Sequence, residues 1–292
     1  MIGGRITLLM YNRDEARADI YRGQGINVVF GGIDEFFACL AKQSPGPLFD
    51  YQPSDSVIEN FVKLVPTLTD VRHQIETAQP DVSRMFAGWP ANYADISNGL
   101  TFERSVTASM VSEATGGQNL CLTLVGASGV GKTTAARQVL AALSRQGVTC
   151  WEHNIDLTLA SDEWISLANA LAKVNKRGAL FIDEAHIHIR EINDLINGLA
   201  NAELRSLVLI IASSRNHWKP RIKSPYIYKR GKLFVLSKID GSEIERLITL
   251  VETQNDLHNL VESSFSGFSK SEKRRRLLGP GPINRVSMAA GM

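Results

Sequence analysis

Gly126-Ala127-Ser128-Gly129-Val130-Gly131-Lys132-Thr133 is the stretch on which the reading of this chain turns. It satisfies G-x-x-x-x-G-K-[ST], the spelling of a loop that wraps phosphate. Backbone N–H groups can close on phosphoryl oxygens only where the chain takes φ > 0 and approaches the ligand closely, and glycine permits both. A helix starting near Lys132 turns its partial positive charge toward the same anion. Lys132 supplies a mobile cation for the outer phosphates, Thr133 a hydroxyl for Mg²⁺, and Thr134 a side chain within reach of the inner phosphate. The context agrees. Leu120 to Val125 is an apolar strand run before the loop, and Ala136, Val139, Leu140 and Leu143 mark an amphipathic helix, Lys132 to Gln146, after it. A nucleoside triphosphate with Mg²⁺ is the expected ligand.

Downstream, Ala179-Leu180-Phe181-Ile182-Asp183-Glu184 is an apolar strand ending in two carboxylates. Beside a phosphate loop, an acid at the strand end holds Mg²⁺, a role that falls to Asp183. Glu184 is then placed to orient or deprotonate an attacking water. Asp183-Glu184-Ala185-His186 also spells a DEAH box, but the remaining stretch to Met292 is too short for the second domain that a helicase needs. His186 and His188 read as ordinary helix-start residues.

The run Leu207 to Ala212 is fully apolar, as in a parallel strand buried on both faces. It leads into Ser213-Ser214-Arg215-Asn216. In a doubly wound sheet the carboxyl ends of strands gather at the ligand crevice, so Ser214 and Arg215 are candidate sensors of the γ-phosphate. Residues 215–232 carry seven basic side chains and no acidic one, with Trp218, Tyr226 and Tyr228 interleaved. That composition suits a single-stranded nucleic-acid surface. It equally suits a solvated loop beside a nucleotide site. The net charge of +2 gives no support to the first, so nucleic acid is not the favoured partner.

Strand and helix runs alternate from 119 to 240: Val148 to Ile155, Glu163 to Lys173 and Ile187 to Ala202 fill the gaps between the segments above, and Leu233 to Ser237 follows as a further strand. The expected fold is an α/β, doubly wound and mostly parallel sheet. Outside it, residues 1–43 read as a partial α/β segment with strands Ile6 to Met10 and Ile26 to Phe30 and helices Asp14 to Arg22 and Ile33 to Ala41. Residues 44–118 read as linker and helical approach, helical over 56–80 apart from a break at Pro66, and irregular over 81–118. Residues 241–292 read as a helical tail that opens with a helix capped by Ser242 and Glu245 and whose end is expected not to fold.

Of the 292 residues, 44% are hydrophobic, enough for one large core or two modest ones. Cys39, Cys121 and Cys150 lack metal-ligand spacing, which suits a reducing cytoplasm. No window reaches the ~20 apolar residues of a membrane helix.

From about 85 to 265 the chain resembles STAND-type P-loop ATPases, in the group fused behind sirtuin-like domains in bacterial anti-phage defence proteins. The residues that carry this are 86–96 (Phe-Ala-Gly-Trp-Pro-Ala-Asn-Tyr-Ala-Asp-Ile), Gly126 to Thr134, Ile182-Asp183, Ala212 to Asn216, and Leu236 to Asp240 followed by Glu243-Ile244. The resemblance implies ATP rather than GTP, a nucleotide-driven switch with gated hydrolysis to ADP, and self-association or a protein partner. No N/TKxD guanine motif opposes ATP. Tyr21, Gly25 to Val29 and Asp34 to Phe37 resemble the closing strand and helix of a sirtuin-like domain. Its NAD-binding part would lie before Met1, so NAD hydrolysis is not expected. The tail after Gly279-Pro280-Gly281-Pro282 departs from the family, which implies a truncated or split member. Two rival readings stay open: an AAA+-type DNA-associated ATPase, and a non-hydrolysing nucleotide-binding module.

Overall fold

The computed structural model describes residues 7–10, 15–23, 27–30, 55–86, 89–218, 223–237, 239–254, 267–269, 271–273 and 275. The helix expected over Ile33 to Ala41, and the tail beyond 275, lie outside them.

The loop from Gly126 to Lys132 is held by a six-stranded sheet. In chain order its strands are β3 (Leu68–Asp70), β4 (Cys121–Gly126), β5 (Thr149–His153), β6 (Gly178–Ile182), β7 (Leu207–Ser214) and β8 (Gly231–Leu236). They lie side by side as β3-β5-β6-β7-β4-β8. Every neighbour pair is parallel except β3 with β5. The N-terminal strands β1 (Thr7–Met10) and β2 (Asn27–Phe30) pair in a separate two-stranded parallel sheet, joined through α1 (Glu15–Gly23).

Alternation along each strand sorts the core into two faces. On β6, Leu180 and Ile182 join one cluster, with Trp164, Leu167 and Leu171 of α8 (Ser161–Lys173). Ile192, Leu195 and Leu199 of α9 (Ile189–Asn201) complete that face, where Leu64, the last residue of α2 (Asp55–Leu64), is also buried. Ala179 and Phe181 face the other way, onto Val139, Leu140 and Leu143 of α7 (Lys132–Arg145). Met110 of α6 (Ser105–Gly116) and Val71, which opens α3 (Val71–Thr77), close that side. Each fully buried Leu, Ile or Phe contributes about 1.5–3 kcal/mol, which makes this double-sided sheet the main source of stability.

The approach to the core is more regular than its sequence reads. α2 ends at Leu64, Pro66 sits in a 3-10 turn over Val65–Thr67, and the Thr67 hydroxyl donates to the Leu64 carbonyl at 2.8 Å. The chain then extends through Leu68-Thr69-Asp70 as the edge strand β3, because the partner edge of β5 is open to it. Stretch 81–118 holds three helices, α4 (Val82–Phe86), α5 (Tyr93–Ser97) and α6. A capping box of Asn92 and Asp95 starts α5. After β8, α11 (Gly241–Thr253) packs Ile244, Leu247, Ile248 and Val251 against Met85, Ile96, Phe102 and Ala141. Its cap is Asp240 with Glu243, two residues before the expected Ser242 and Glu245. The reason is local: Asp240 Oδ1 accepts from the Glu243 N–H at 2.9 Å, and the Ser242 hydroxyl also donates to that oxygen, at 2.7 Å.

Candidate functional site

The strand order positions the site. Between β4, which carries the phosphate loop, and β6, which ends in the two carboxylates, lies β7. The C-terminal ends of all three therefore meet at one edge. β7 runs two residues past its expected end, and its ladder pairs Val125 with Ser213 and Gly126 with Ser214.

The loop has the required backbone. Gly129 (φ +70°) and Gly131 (φ +93°) are both left-handed. Gly126 is glycine for lack of space: a Cβ there would lie 2.7 Å from both the Leu236 carbonyl oxygen and Val130 Cγ1. Lys132 is buried, and its ammonium donates to the Ala127 carbonyl at 3.0 Å, so the cation is held within the loop it would serve. The side chain of Thr134 is fully buried at the start of α7.

Thr133 Oγ1 donates to Asp183 Oδ2 at 2.6 Å. Two hard oxygen donors, one from the first turn of α7 and one just past the end of β6, thus stand side by side, the donor chemistry that Mg²⁺ takes. The other Asp183 oxygen accepts from the Glu184 N–H at 2.9 Å. Glu184 has φ +39°, an uncommon conformation for a non-glycine residue. The turn is pinned where the Ala185 N–H donates to the Ala212 carbonyl at 2.9 Å. Such strain is held only where the surroundings enforce it, commonly at functional sites.

Glu184 opens onto a cleft of about 600 Å³ lined also by Gly126, Ser128, Ser214, Arg215 and His217. Among the described residues, Ser214 Oγ is one of the few buried side-chain oxygen or nitrogen atoms without a hydrogen-bond partner. A buried unpaired hydroxyl costs about 1–3 kcal/mol, and here it stands beside the phosphate loop. Arg215 is anchored by its backbone, whose N–H donates to the Gly126 carbonyl at 3.2 Å. The structure brings Gly126–Thr134, Asp183, Glu184, Ser214 and Arg215 to one rim. Their chemistry fits a triphosphate with its ion: backbone amides and a lysine for the anion, two oxygen donors for the cation, and a carboxylate facing the open cleft.

A second cavity of about 500 Å³ lies on the Asp183 side of the loop, lined by Thr133, Asp183, Arg137, Glu152, Trp89 and Arg84 among others. Arg137 makes a forked pair with Glu152, Nη2 donating to Oε1 at 2.7 Å and Nε to Oε2 at 3.0 Å. Burial opposes the Arg137 charge, but the attraction and hydrogen bonds of Glu152 outweigh it and raise its pKa. Tyr93 donates to the same carboxylate at 2.6 Å. Burial and Glu152 hold its phenol well above the ordinary range. Arg137 and Glu152 escaped the sequence reading, and Tyr93 entered it only within the 86–96 stretch, because no short motif joins residues on three elements.

The same holds for Arg104. Its guanidinium donates to the Val130 carbonyl at 2.7 Å, the Ser237 carbonyl at 2.8 Å and Glu243 Oε1 at 3.1 Å. His217 was likewise unread. It lies against His186, with ring centroids 4.3 Å apart. His188 bonds the Ile155 carbonyl at 2.9 Å and packs edge-on against His153, away from the cleft edge. In the basic stretch, Trp218 is only 8% exposed and belongs to the core, with the Lys223 ammonium 4.6 Å from its ring centroid. Tyr228 is exposed. Cys121 and Cys150 are buried free thiols. Burial pushes Cys121 up to about 12. Among the described residues no helix is long and apolar enough to cross a membrane.

Residues 83–225 match the family model described as Novel STAND NTPase 5. Over that stretch the chain is similar to STAND NTPases. The STAND-like segment runs from α4 through the phosphate loop and the Asp183 turn to the end of β7 and the start of α10 (Pro225–Lys229), and it supports a nucleotide-binding NTPase. Comparison with curated proteins gives no match. Among solved structures, the chain is similar to C. elegans PCH-2 (TM-score 0.37, 12% identity, 61% of this chain and 54% of that one). It is also similar to S. cerevisiae Hsp104 in a casein complex (0.44, 11%, 77% and 41%). A third is the Aeropyrum pernix ORC2 protein, in ADPNP-ADP complexes (0.37, 15%, 52% and 50%). The chain thus spans between 41% and 54% of the length of these solved chains.

Proposed function

We propose that this chain binds ATP with Mg²⁺ and hydrolyses it to ADP as a gated switch. The observation that carries the reading is the 2.6 Å contact of Thr133 with Asp183, which joins the phosphate loop to a strand end with β7 between them. The backbone amides of Gly126, Ala127, Ser128, Gly129, Val130 and Gly131 wrap the phosphates. Lys132 leaves the Ala127 carbonyl for the outer phosphates, and Thr134 serves the inner one. Thr133 and Asp183 hold Mg²⁺, which when bound neutralises charge on the β- and γ-phosphates. Glu184 accepts a hydrogen bond from the attacking water and aligns it with the bond to be broken. The water oxygen bonds to the γ-phosphorus as its proton passes to Glu184, the bond to the β,γ-bridging oxygen breaks, and ADP and inorganic phosphate leave. Ser214 and Arg215 contact the γ-phosphate, and Ser214 Oγ gains the partner it lacks without ligand. An anti-phage defence role rests on the resemblance given above.

The test is ATP binding and steady-state hydrolysis for the wild type, Lys132→Ala and Glu184→Gln. The reading requires no binding in Lys132→Ala, and intact binding with a rate at least about 100-fold lower in Glu184→Gln. Wild-type turnover in Glu184→Gln would sink the assignment of that residue, and failure of the wild type to bind ATP would sink the reading as a whole.

A further inference from the structure

Glu184 and His217 line the cleft, and His186 lies against both. The turn that follows β6 closes with the Ile187 N–H donating to the Glu184 carbonyl at 2.9 Å, which folds His186 back toward the Glu184 carboxylate. His186 Nδ1 lies 3.3 Å from Glu184 Oε2. That nitrogen is buried and makes no hydrogen bond. His217, just past the end of β7, brings its ring to 4.3 Å from the His186 ring at an interplanar angle of 40°. One ligand atom from each of the three side chains lies within 4.8 Å of the other two.

The donor set has a definite preference. Two imidazole nitrogens and one carboxylate oxygen suit Zn²⁺ and its neighbours, whereas Mg²⁺ takes oxygen. With Zn–N and Zn–O bonds of about 2.0–2.2 Å, two ligand atoms of a tetrahedral site lie about 3.4 Å apart. The Glu184–His186 distance of 3.3 Å already has that spacing. His217 is exposed, so its ring is free to rotate through the small remaining distance. Three protein ligands leave a fourth position for water.

We propose that Glu184, His186 and His217 form a site for a divalent transition ion of the Zn²⁺ class, and that the bound ion holds the Glu184 carboxylate away from the water, stopping the nucleotide cycle. The ion would also tie the turn after β6 to the segment after β7, the two loops that flank the cleft. The binding half stands on the three side chains alone. The inhibitory half rests on the role proposed above for Glu184.

The experiment uses the full chain stripped of metal by a chelator and titrated with Co²⁺, then Zn²⁺, without nucleotide. The expected result is one Co²⁺ per chain, a visible absorption band of tetrahedral cobalt, and its loss on adding Zn²⁺. His217→Ala should weaken the ion at least about tenfold, and His186→Ala with His217→Ala should abolish the band. Should the double variant not fold, His217→Ala decides alone, since its side chain is exposed. Absence of stoichiometric binding, or unchanged affinity in His217→Ala, overturns the site. A second arm measures ATP hydrolysis in excess Mg²⁺ with rising Zn²⁺, each protein read against its own metal-free rate. Inhibition that follows occupancy, is reversed by chelator, and needs at least about tenfold more Zn²⁺ in His217→Ala supports the inhibitory half. Full turnover at saturating Zn²⁺ refutes it. Cobalt binding in a chain that never hydrolyses ATP keeps the metal site and discards the ATPase reading; turnover without metal binding does the reverse.

Discussion

Arg104 and Glu243 form an ion pair of 3.1 Å in which both side chains are almost fully buried, 1% and 4% exposed. They lie 139 residues apart. The same guanidinium holds the carbonyls of Val130, inside the phosphate loop, and Ser237, just after β8. Glu243 in turn accepts from the N–H groups of Ser105 at 2.8 Å and Asp240 at 3.0 Å. One side chain thus couples the loop that would meet phosphate to the N-terminus of α11.

Removing one partner of a buried pair leaves the other uncompensated, at a cost of about 3–5 kcal/mol. Arg104→Ala should lower the urea midpoint accordingly and free the Val130 carbonyl. Weaker nucleotide binding should accompany it. Arg104→Ala combined with Glu243→Gln should cost less than the sum of the singles, as coupled residues do. Additive losses in that double-mutant cycle would show that the pair is not coupled.

Acid should weaken the fold in two stages. Burial lowers the His153 pKa below 6.5, with the neighbouring His188 acting the same way, against the hydrogen bond to the Leu157 carbonyl. The folded ring stays neutral while the unfolded one takes a proton, so stability falls as pH drops below 6.5. For Glu243, burial opposes the charge, but hydrogen bonds from Ser105, Asp240 and Arg104 outweigh it and depress the pKa below 4.5. A depressed carboxylate contributes stability above its unfolded pKa and loses it as pH falls through its folded pKa. Urea midpoints over a neutral-to-acidic series should show both stages, with the upper one absent in His153→Gln and the lower one absent in Glu243→Gln.

Gly126→Ala places a methyl 2.7 Å from the Leu236 carbonyl oxygen and Val130 Cγ1. Backbone must yield, so the expected cost is about 1–3 kcal/mol. Because β8 and the phosphate loop are what it pushes apart, ATP binding should weaken more than stability alone accounts for. Equal ATP affinity in a stably folded Gly126→Ala chain would contradict this.

Ser214→Ala should move stability and binding in opposite directions. It removes a buried hydroxyl without a partner, so the nucleotide-free chain should gain up to about 1 kcal/mol. The rise in melting temperature on adding ATP should shrink, since the variant would lack the γ-phosphate contact proposed for Ser214. Thermal melts with ATP and with ADP check this: the ADP shift should change less.

The loop over Gly126 to Thr133 could be proposed from the chain because its chemistry is local: Gly126, Gly131, Lys132 and Thr133 must stand at fixed spacing for one backbone to wrap an anion. So could the alternation of strands and helices from Cys121 to Leu236, since a stretch such as Leu207 to Ala212 of β7 is buried on both faces and is apolar throughout. Sequence also pointed to Asp183 and Glu184, through the apolar run before them. It could not show that Leu68–Asp70 becomes an edge strand, because three residues carry no period and only the open side of β5 recruits them. Nor could it show which distant side chains meet. Arg104 with Glu243, Arg137 with Glu152, and His217 with His186 are each brought together by the strand order and by packing of α6, α7 and α11 on the sheet. Spacing along a chain determines what one loop can do; the contacts between loops exist only after the sheet has closed.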